Sequence, residues 1–223
     1  MVFGIAMKRE ITALRFQKHN KDRVNVYLDG AFAFGLAAVE AMHLHVGQTL
    51  SADEIVELQM KDDVERAYER ALNYLSYRPR SKAEVSRNLR KKEIEDRVID
   101  VVIGRLTRAG LLDDREFARY WVDNRARFNP RGLRGLRYEL RQKGVSQDVI
   151  DDALASFDVQ AAARKVADAG ARRLSQEAPR DFRRKLKAYM ARRGFSYARI
   201  KPLVQEKLEE MRAEETTESE ERQ

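Results

Sequence analysis

Residues 131–145 read RGLRGLRYELRQKGV, and the fold turns on how this stretch is read. Leu133, Leu136 and Leu140 keep helical time, which places them on one apolar seam. Arg131, Arg134, Arg137 and Arg141 are interleaved with that seam. Gly144 follows where a left-handed residue can end a helix. A single amphipathic helix of this kind can carry arginines as a solvated outer face or as a phosphate-binding one. Its spacing does not separate the two, so the rest of the chain has to.

The stretch is one copy of a repeat. Leu136 and Leu140 correspond to Val85 and Leu89 upstream and to Leu186 and Met190 downstream, at offsets of 51 and 50 residues. The turn Lys143-Gly144-Val145 corresponds to Lys92-Glu93-Ile94 and Arg193-Gly194-Phe195, and Pro79, Pro130 and Pro179 lie 51 and 49 residues apart. Each copy reads as an opening helix (about 63–77, 114–127 and 158–174), a turn with proline, a middle helix, a tight turn and a closing helix. Fixed-period self-similarity of this kind marks a modular helical array. Ser81-x-x-Glu84 and Asp113-x-x-Glu116 supply N-terminal caps. Glu93 stands where the other copies have glycine, so that turn must differ or carry strain.

Before the repeats, EITALRFQ and VNVYL alternate as half-buried strands do, and Asp29-Gly30 is a hairpin signal ahead of AFAFGL. A meander of about three strands is predicted, too small to stand alone and expected to lean on the following helices. Ser51-x-x-Glu54 opens a helix through about Met60. The expected class is therefore mainly α: an elongated tandem array of three three-helix repeats behind a small N-terminal β meander. The predicted divisions are 1–62, 63–112, 113–157, 158–207 and an acidic, disordered tail at 208–223.

The 223-residue chain carries a net charge of +8, but residues 206–223 hold eight Glu against three bases, which leaves +13 on residues 1–205. That balance favours a polyanionic partner. Cations crowd the same segment of every repeat. The candidate contacts are Arg80, Lys82, Arg87 and Arg90, then Arg125, Arg127, Arg131, Arg134, Arg137, Arg141 and Lys143, and finally Arg183, Arg184 and Lys187. Segregation that returns every fifty residues predicts a charged track, with weak base preference and steep salt dependence. Gly132 and Gly135 suit close approach either to a phosphate or to another helix, and the residues leave that choice open. Tyr138 and Tyr189 stand among arginines, where base stacking is conceivable.

The chain has no cysteine, which excludes thiolate chemistry and disulfides. Its three histidines, His19, His43 and His45, lie apart from any acidic cluster. Asp113-Asp114 sits at a helix start, where capping is the ordinary role. No nucleotide-binding, zincin or nucleophile-elbow pattern occurs. The reading is a non-enzyme without cofactor or metal. With no secretory signal, lipidation signal or long apolar run, it is placed in the cytoplasm with no membrane partner.

Arg80-Ser81-Lys82-Ala83-Glu84-Val85, Leu111-Leu112-Asp113-Asp114 with Phe117-Ala118, Trp121-Val122 and Arg125, Gly132, and Glu139 through Val145 closely resemble the RecX family. The likeness covers residues 63–205, and the N-terminal meander looks like an extension that some members carry. Glu93, commonly glycine in the family, is the main departure. The resemblance implies a curved helical array that lies in the groove of the RecA filament on single-stranded DNA and restrains the recombinase, here acting as a monomer. Its middle repeat would face the groove, with the individual contacts chosen by charge and position. The competing reading is a stand-alone helix-turn-helix-like protein acting on duplex DNA.

Overall fold

Alternating burial along Arg9–Phe16 (β1), Arg23–Leu28 (β2) and Ala31–Ala37 (β3) puts Ile11, Val24, Val26, Leu28, Phe34 and Leu36 on one face of an antiparallel sheet. The computed structural model describes residues 8–220, with side chains through Ala213. Asp29 and Gly30 both adopt positive φ, 52° and 81°, as a two-residue hairpin turn requires. The Asp29 carboxylate accepts from Arg9 Nε at 2.7 Å and from the Glu10 amide at 2.9 Å, and these bonds hold it below the usual carboxylate range. After the short helix Ala38–Ala41 (α1), a fourth strand, Thr49–Leu50 (β4), pairs with β1, giving the order β3-β2-β1-β4. The expected three-strand meander is thus extended by one short strand.

The sheet leans on a helix, as its size demands. Ser51 opens α2 (Ala52–Ser76) with a complete capping box, and Ile55 and Leu58 cover the sheet's apolar face. Asp62, only 4% exposed, accepts from Arg23 Nη2 at 2.8 Å. The same helix continues without interruption. Its second half carries Ala67 and Ala71 into a core with Val85 and Leu89 of α3 (Lys82–Arg90) and Val98, Ile99, Val102 and Leu106 of α4 (Asp96–Arg108). The predicted division at 62/63 therefore falls inside one helix of 25 residues. The alternating strand signal stopped well before it, and nothing in the helical signal marks where one role of α2 gives way to the other.

By contacts the chain divides into two units: residues through Arg78 with Val85–Leu112, and Pro79–Glu84 with Asp113 onward. The second holds two successive three-helix modules. Phe117, Ala118 and Val122 of α5 (Asp114–Phe128), Leu136 and Leu140 of α6 (Leu133–Gln142), and Val149, Ile150 and Leu154 of α7 (Gln147–Leu154) close one core. Ala163 and Val166 of α8 (Val159–Arg173), Phe182, Leu186 and Met190 of α9 (Pro179–Arg192), and Ile200, Leu203 and Val204 of α10 (Tyr197–Glu220) close the other. Phe157 packs against both cores. The tail from 208 was expected to be disordered, but α10 runs through Glu220, and Leu208 and Met211 are buried in the last core. Apolar residues at helical spacing outweigh the surrounding glutamates. Residues 221–223 of that expectation lie outside the described residues.

The three tight turns are one motif. The amides of Ile94, Val145 and Phe195 reach back five residues to the carbonyls of Leu89, Leu140 and Met190. Glu93, Gly144 and Gly194 sit between at φ 59°, 76° and 84°. This is a left-handed helix termination with its usual apolar contact. Glu93 does not change the turn; it adopts the same strained conformation. A left-handed L-residue costs about 1–2 kcal/mol, partly offset by the greater freedom glycine brings to the unfolded chain. Glu93→Gly is accordingly expected to stabilise the protein by about 0.5–1 kcal/mol, seen as a higher denaturant midpoint.

Candidate functional site

The arginine-rich start of α6 is positioned by glycine contacts within the second unit. The Gly132 amide donates to the Arg193 carbonyl at 2.9 Å. A Cβ added at Gly132 would stand 2.6 Å from the Phe195 nitrogen, and one at Gly135 would stand 2.7 Å from the Arg193 oxygen. These glycines therefore serve backbone-to-backbone packing of α6 on the turn after α9, which resolves the choice their spacing left open. At the corresponding place before α3, Ser81 Oγ donates to the Lys143 carbonyl at 2.6 Å, and a Cβ at Gly144 already conflicts with Ala83. Ser81 and Glu84 also form the expected capping box, at 3.3 and 3.2 Å.

Asp113 and Asp114 both cap helices. Asp113 accepts from the Arg115 amide at 2.7 Å, opening its own helix α5. Asp114 accepts from the Lys82 amide at 2.9 Å, at the first residue of α3. Burial is the largest influence on Asp114 and raises its carboxyl above the usual range, against the Lys82 amide. The second cap joins residues 32 apart, which no local signal announces.

The candidate cations sort into three groups by what they touch. Arg125, Arg131 and Lys143 are engaged inside the fold. One oxygen of Glu139 accepts from Trp121 Nε1 at 2.9 Å and Arg125 Nε at 2.7 Å, and the other faces Arg131 Nε at 3.2 Å. The Glu139, Arg125 and Arg131 side chains are only 18%, 24% and 28% exposed. Lys143 Nζ donates to Glu84 at 2.6 Å and lies over the Trp121 ring, which the Arg125 guanidinium also faces. These side chains orient α5 against α6. Glu139, Glu84 and Trp121 thus matter to the site as anchors, which a search for charge alone overlooks.

The second group pairs at the surface. Arg137 meets Asp151 at 3.5 Å, Arg90 meets Asp96 at 2.7 Å, and Arg184 meets Asp181 at 2.9 Å. Lys187 Nζ stands 5.9 Å from the centre of the Tyr197 ring. Exposed pairs of this kind hold little energy and exchange readily for another anion. Arg80 and Lys82 are half-buried at the start of α3, and Arg87 is exposed on it.

The third group is exposed and has no carboxylate partner. Arg127, Arg134 and Arg183 form no side-chain hydrogen bond or ion pair with any described residue. Arg141 donates only to the neutral Gln147 Oε1, at 2.7 and 3.1 Å. The first turn of α6 has no acidic residue, so Arg131 and Arg134 add positive charge at the positive end of the helix dipole. Beside them, burial pulls the Arg193 guanidinium below its ordinary range, as do the neighbouring cations Arg131, Arg173 and Arg192, while Tyr189 opposes the shift. Positive charge is therefore concentrated beyond what the fold neutralises. Arg173 is an addition to the expected set, since in the last turn of α8 it reads simply as a cation complementing that helix's dipole.

The tyrosines separate as well. Arg193 lies 3.7 Å from the Tyr189 ring centre, and Tyr189 packs against the last core, so its ring is not open for stacking. Tyr138 is 65% exposed on the outer face of α6. Among the described residues no helix is long and apolar enough to cross a membrane, and no three metal-ligating side chains gather.

Four family models match successive parts of the chain: the regulatory protein RecX N-terminal domain at residues 9–51, and the first, second and third three-helix domains of RecX at 67–106, 113–154 and 158–204. Regulatory protein RecX of Bacillus licheniformis is 35% identical over 201 residues, 88% of this chain and 76% of that protein. Its counterpart in Bacillus subtilis is 35% identical over 192 residues, 84% and 73% of the two chains. A crystal structure of regulatory protein RecX superposes with a TM-score of 0.69 at 28% identity, covering 87% of this chain and 98% of the other. RecX from Lactobacillus salivarius gives 0.57 at 30% identity, covering 66% and 97%. A small sheet braced by a long helix, three glycine-type turns on a fifty-residue period, and matches spanning all of these elements lead to one conclusion: this chain belongs to the RecX family of regulatory proteins.

Proposed function

We propose that the protein is a non-catalytic cytoplasmic regulator that restrains the RecA recombinase by laying cationic faces of its helical modules in the groove of the RecA–single-stranded DNA filament. The observation that carries this reading is the outer stripe of α6, where Arg134 and Arg141 are exposed without a carboxylate partner. Guanidiniums so placed can take phosphate or an acidic protein surface in two-point fashion without first breaking an internal ion pair. Arg127 and Arg183 extend the same chemistry, while Arg137, Arg90, Arg184 and Lys187 can exchange weak surface contacts for the filament. Arg125, Arg131 and Lys143 contribute by fixing α6. The relatives' name, regulatory protein, agrees with control rather than catalysis.

The test is RecA ATP hydrolysis and strand exchange on single-stranded DNA with the wild-type chain and with Arg134→Ala/Arg141→Ala. The wild-type chain is expected to restrain both activities, and the double variant to lose most of that effect with unchanged circular dichroism. For two lost phosphate contacts, the slope of log affinity against log salt should fall by about 1.4 on a single strand. Undiminished restraint by the variant would remove this assignment. Tight preference for one duplex sequence would favour the duplex-binding reading instead.

A further inference from the structure

We propose that Tyr138 is a nucleobase-stacking platform: its ring, held between Arg134 and Arg141 on one stripe of α6, takes a base of single-stranded DNA while the two guanidiniums take the flanking phosphates. This rests on the reading above and specifies the contact made by that same face.

Residues 134, 138 and 141 are spaced four and three apart, so they share one side of the helix. The apolar seam of Leu136 and Leu140 is fully buried on the other side. Tyr138 is 65% exposed and, among the described residues, its side chain makes no hydrogen bond or ring contact. Other tyrosines lie against a cation: Tyr27 under Arg15, Tyr68 under Arg105, Tyr189 under Arg193 and Tyr197 near Lys187. Tyr138 has cations on both sides along the helix, yet its face is left open.

Nothing in the packing calls for tyrosine here, and an exposed helical position is better served by alanine or a long straight side chain. Asp151 is already shared by Arg137 and Gln147. The local field therefore stays favourable to phosphate beside the ring. An open aromatic face flanked by cations is the arrangement by which single strands are held without sequence preference. A duplex keeps its bases stacked and offers the ring no partner.

The experiment compares the full-length wild-type chain, Tyr138→Ala, Tyr138→Leu and Tyr138→Phe by fluorescence anisotropy. Each is titrated with a labelled single-stranded oligonucleotide and with an abasic strand of the same length and phosphate count. Tyr138→Ala and Tyr138→Leu are expected to weaken binding to the normal strand about tenfold or more, as loss of one stacked base implies, with the abasic strand nearly unaffected. Tyr138→Phe should retain wild-type affinity for both. Equal weakening on the two strands, or none on either, overturns the stacking assignment while leaving the cationic face standing. A wild-type chain that binds neither strand at low salt overturns both.

Discussion

Gly194→Ala is expected to destabilise the protein by about 3–5 kcal/mol. Two costs combine. Gly194 has φ +84°, where an L-residue costs about 1–2 kcal/mol. The new Cβ would also overlap the Gly135 nitrogen and stand 2.8 Å from its Cα. Those are backbone atoms of α6, which cannot rotate away as a side-chain end can. The helix would have to lift off the turn, breaking the bond from the Gly132 amide to the Arg193 carbonyl. Gly110→Ala is the matched control. It has φ +70° with nothing within 4 Å of the added Cβ, so it should cost only about 1–2 kcal/mol. Urea unfolding of the two variants separates conformational strain from collision, and equal losses would mean that α6 does not seat on the turn after α9.

Gly194 also shows what the sequence could and could not convey. Its left-handed role was legible, because a glycine after a periodic apolar run has a local meaning. The three-module architecture was legible for the same kind of reason: Leu89, Leu140 and Met190 repeat in step, and each ends fully buried before the same turn. That Gly194 must lie against Gly135, 59 positions earlier in the chain, has no local signature. Asp114 is similar, since its sequence position predicted a cap on its own helix and its carboxylate instead accepts from the Lys82 amide of α3. Glu93 was legible as an exception, but whether the turn or the residue would yield required coordinates. The end of α10 was misread because a dense run of glutamates masked Leu208 and Met211, whose spacing continues the buried stripe.

Charge was legible in amount and not in availability. Seven cations from Arg125 to Lys143 look equivalent in the sequence, but the fold commits three of them to glutamates and leaves Arg134 and Arg141 without a carboxylate. The difference depends on where α5 and α6 meet, and a list of basic residues cannot encode it.

Glu139→Ala puts that division to its hardest test and is expected to cost about 2–4 kcal/mol. Removing one member of a largely buried ion pair costs about 3–5 kcal/mol, reduced here because the arginines keep some contact with water. The carboxylate accepts from two donors and pairs with a third cation, so its loss strands the Trp121 N–H and leaves the Arg125 and Arg131 guanidiniums without their shared counter-ion. Glu139→Gln keeps an acceptor for one donor but not the charge, and should cost about 1–2 kcal/mol. Arg134→Ala/Arg141→Ala, which touches no such network, should stay within about 0.5 kcal/mol of wild type. Binding should then run opposite to stability. Folded Glu139→Gln adds one positive charge beside the α6 stripe and should bind single-stranded DNA at least as tightly as wild type, whereas the stable arginine double variant should bind much more weakly. Denaturant titration and anisotropy on the same samples decide the matter. If Glu139→Gln weakened binding as much as the double variant, Arg125 and Arg131 would have to reach the nucleic acid only when Glu139 holds them in place, and the separation of anchoring from contacting cations would fail.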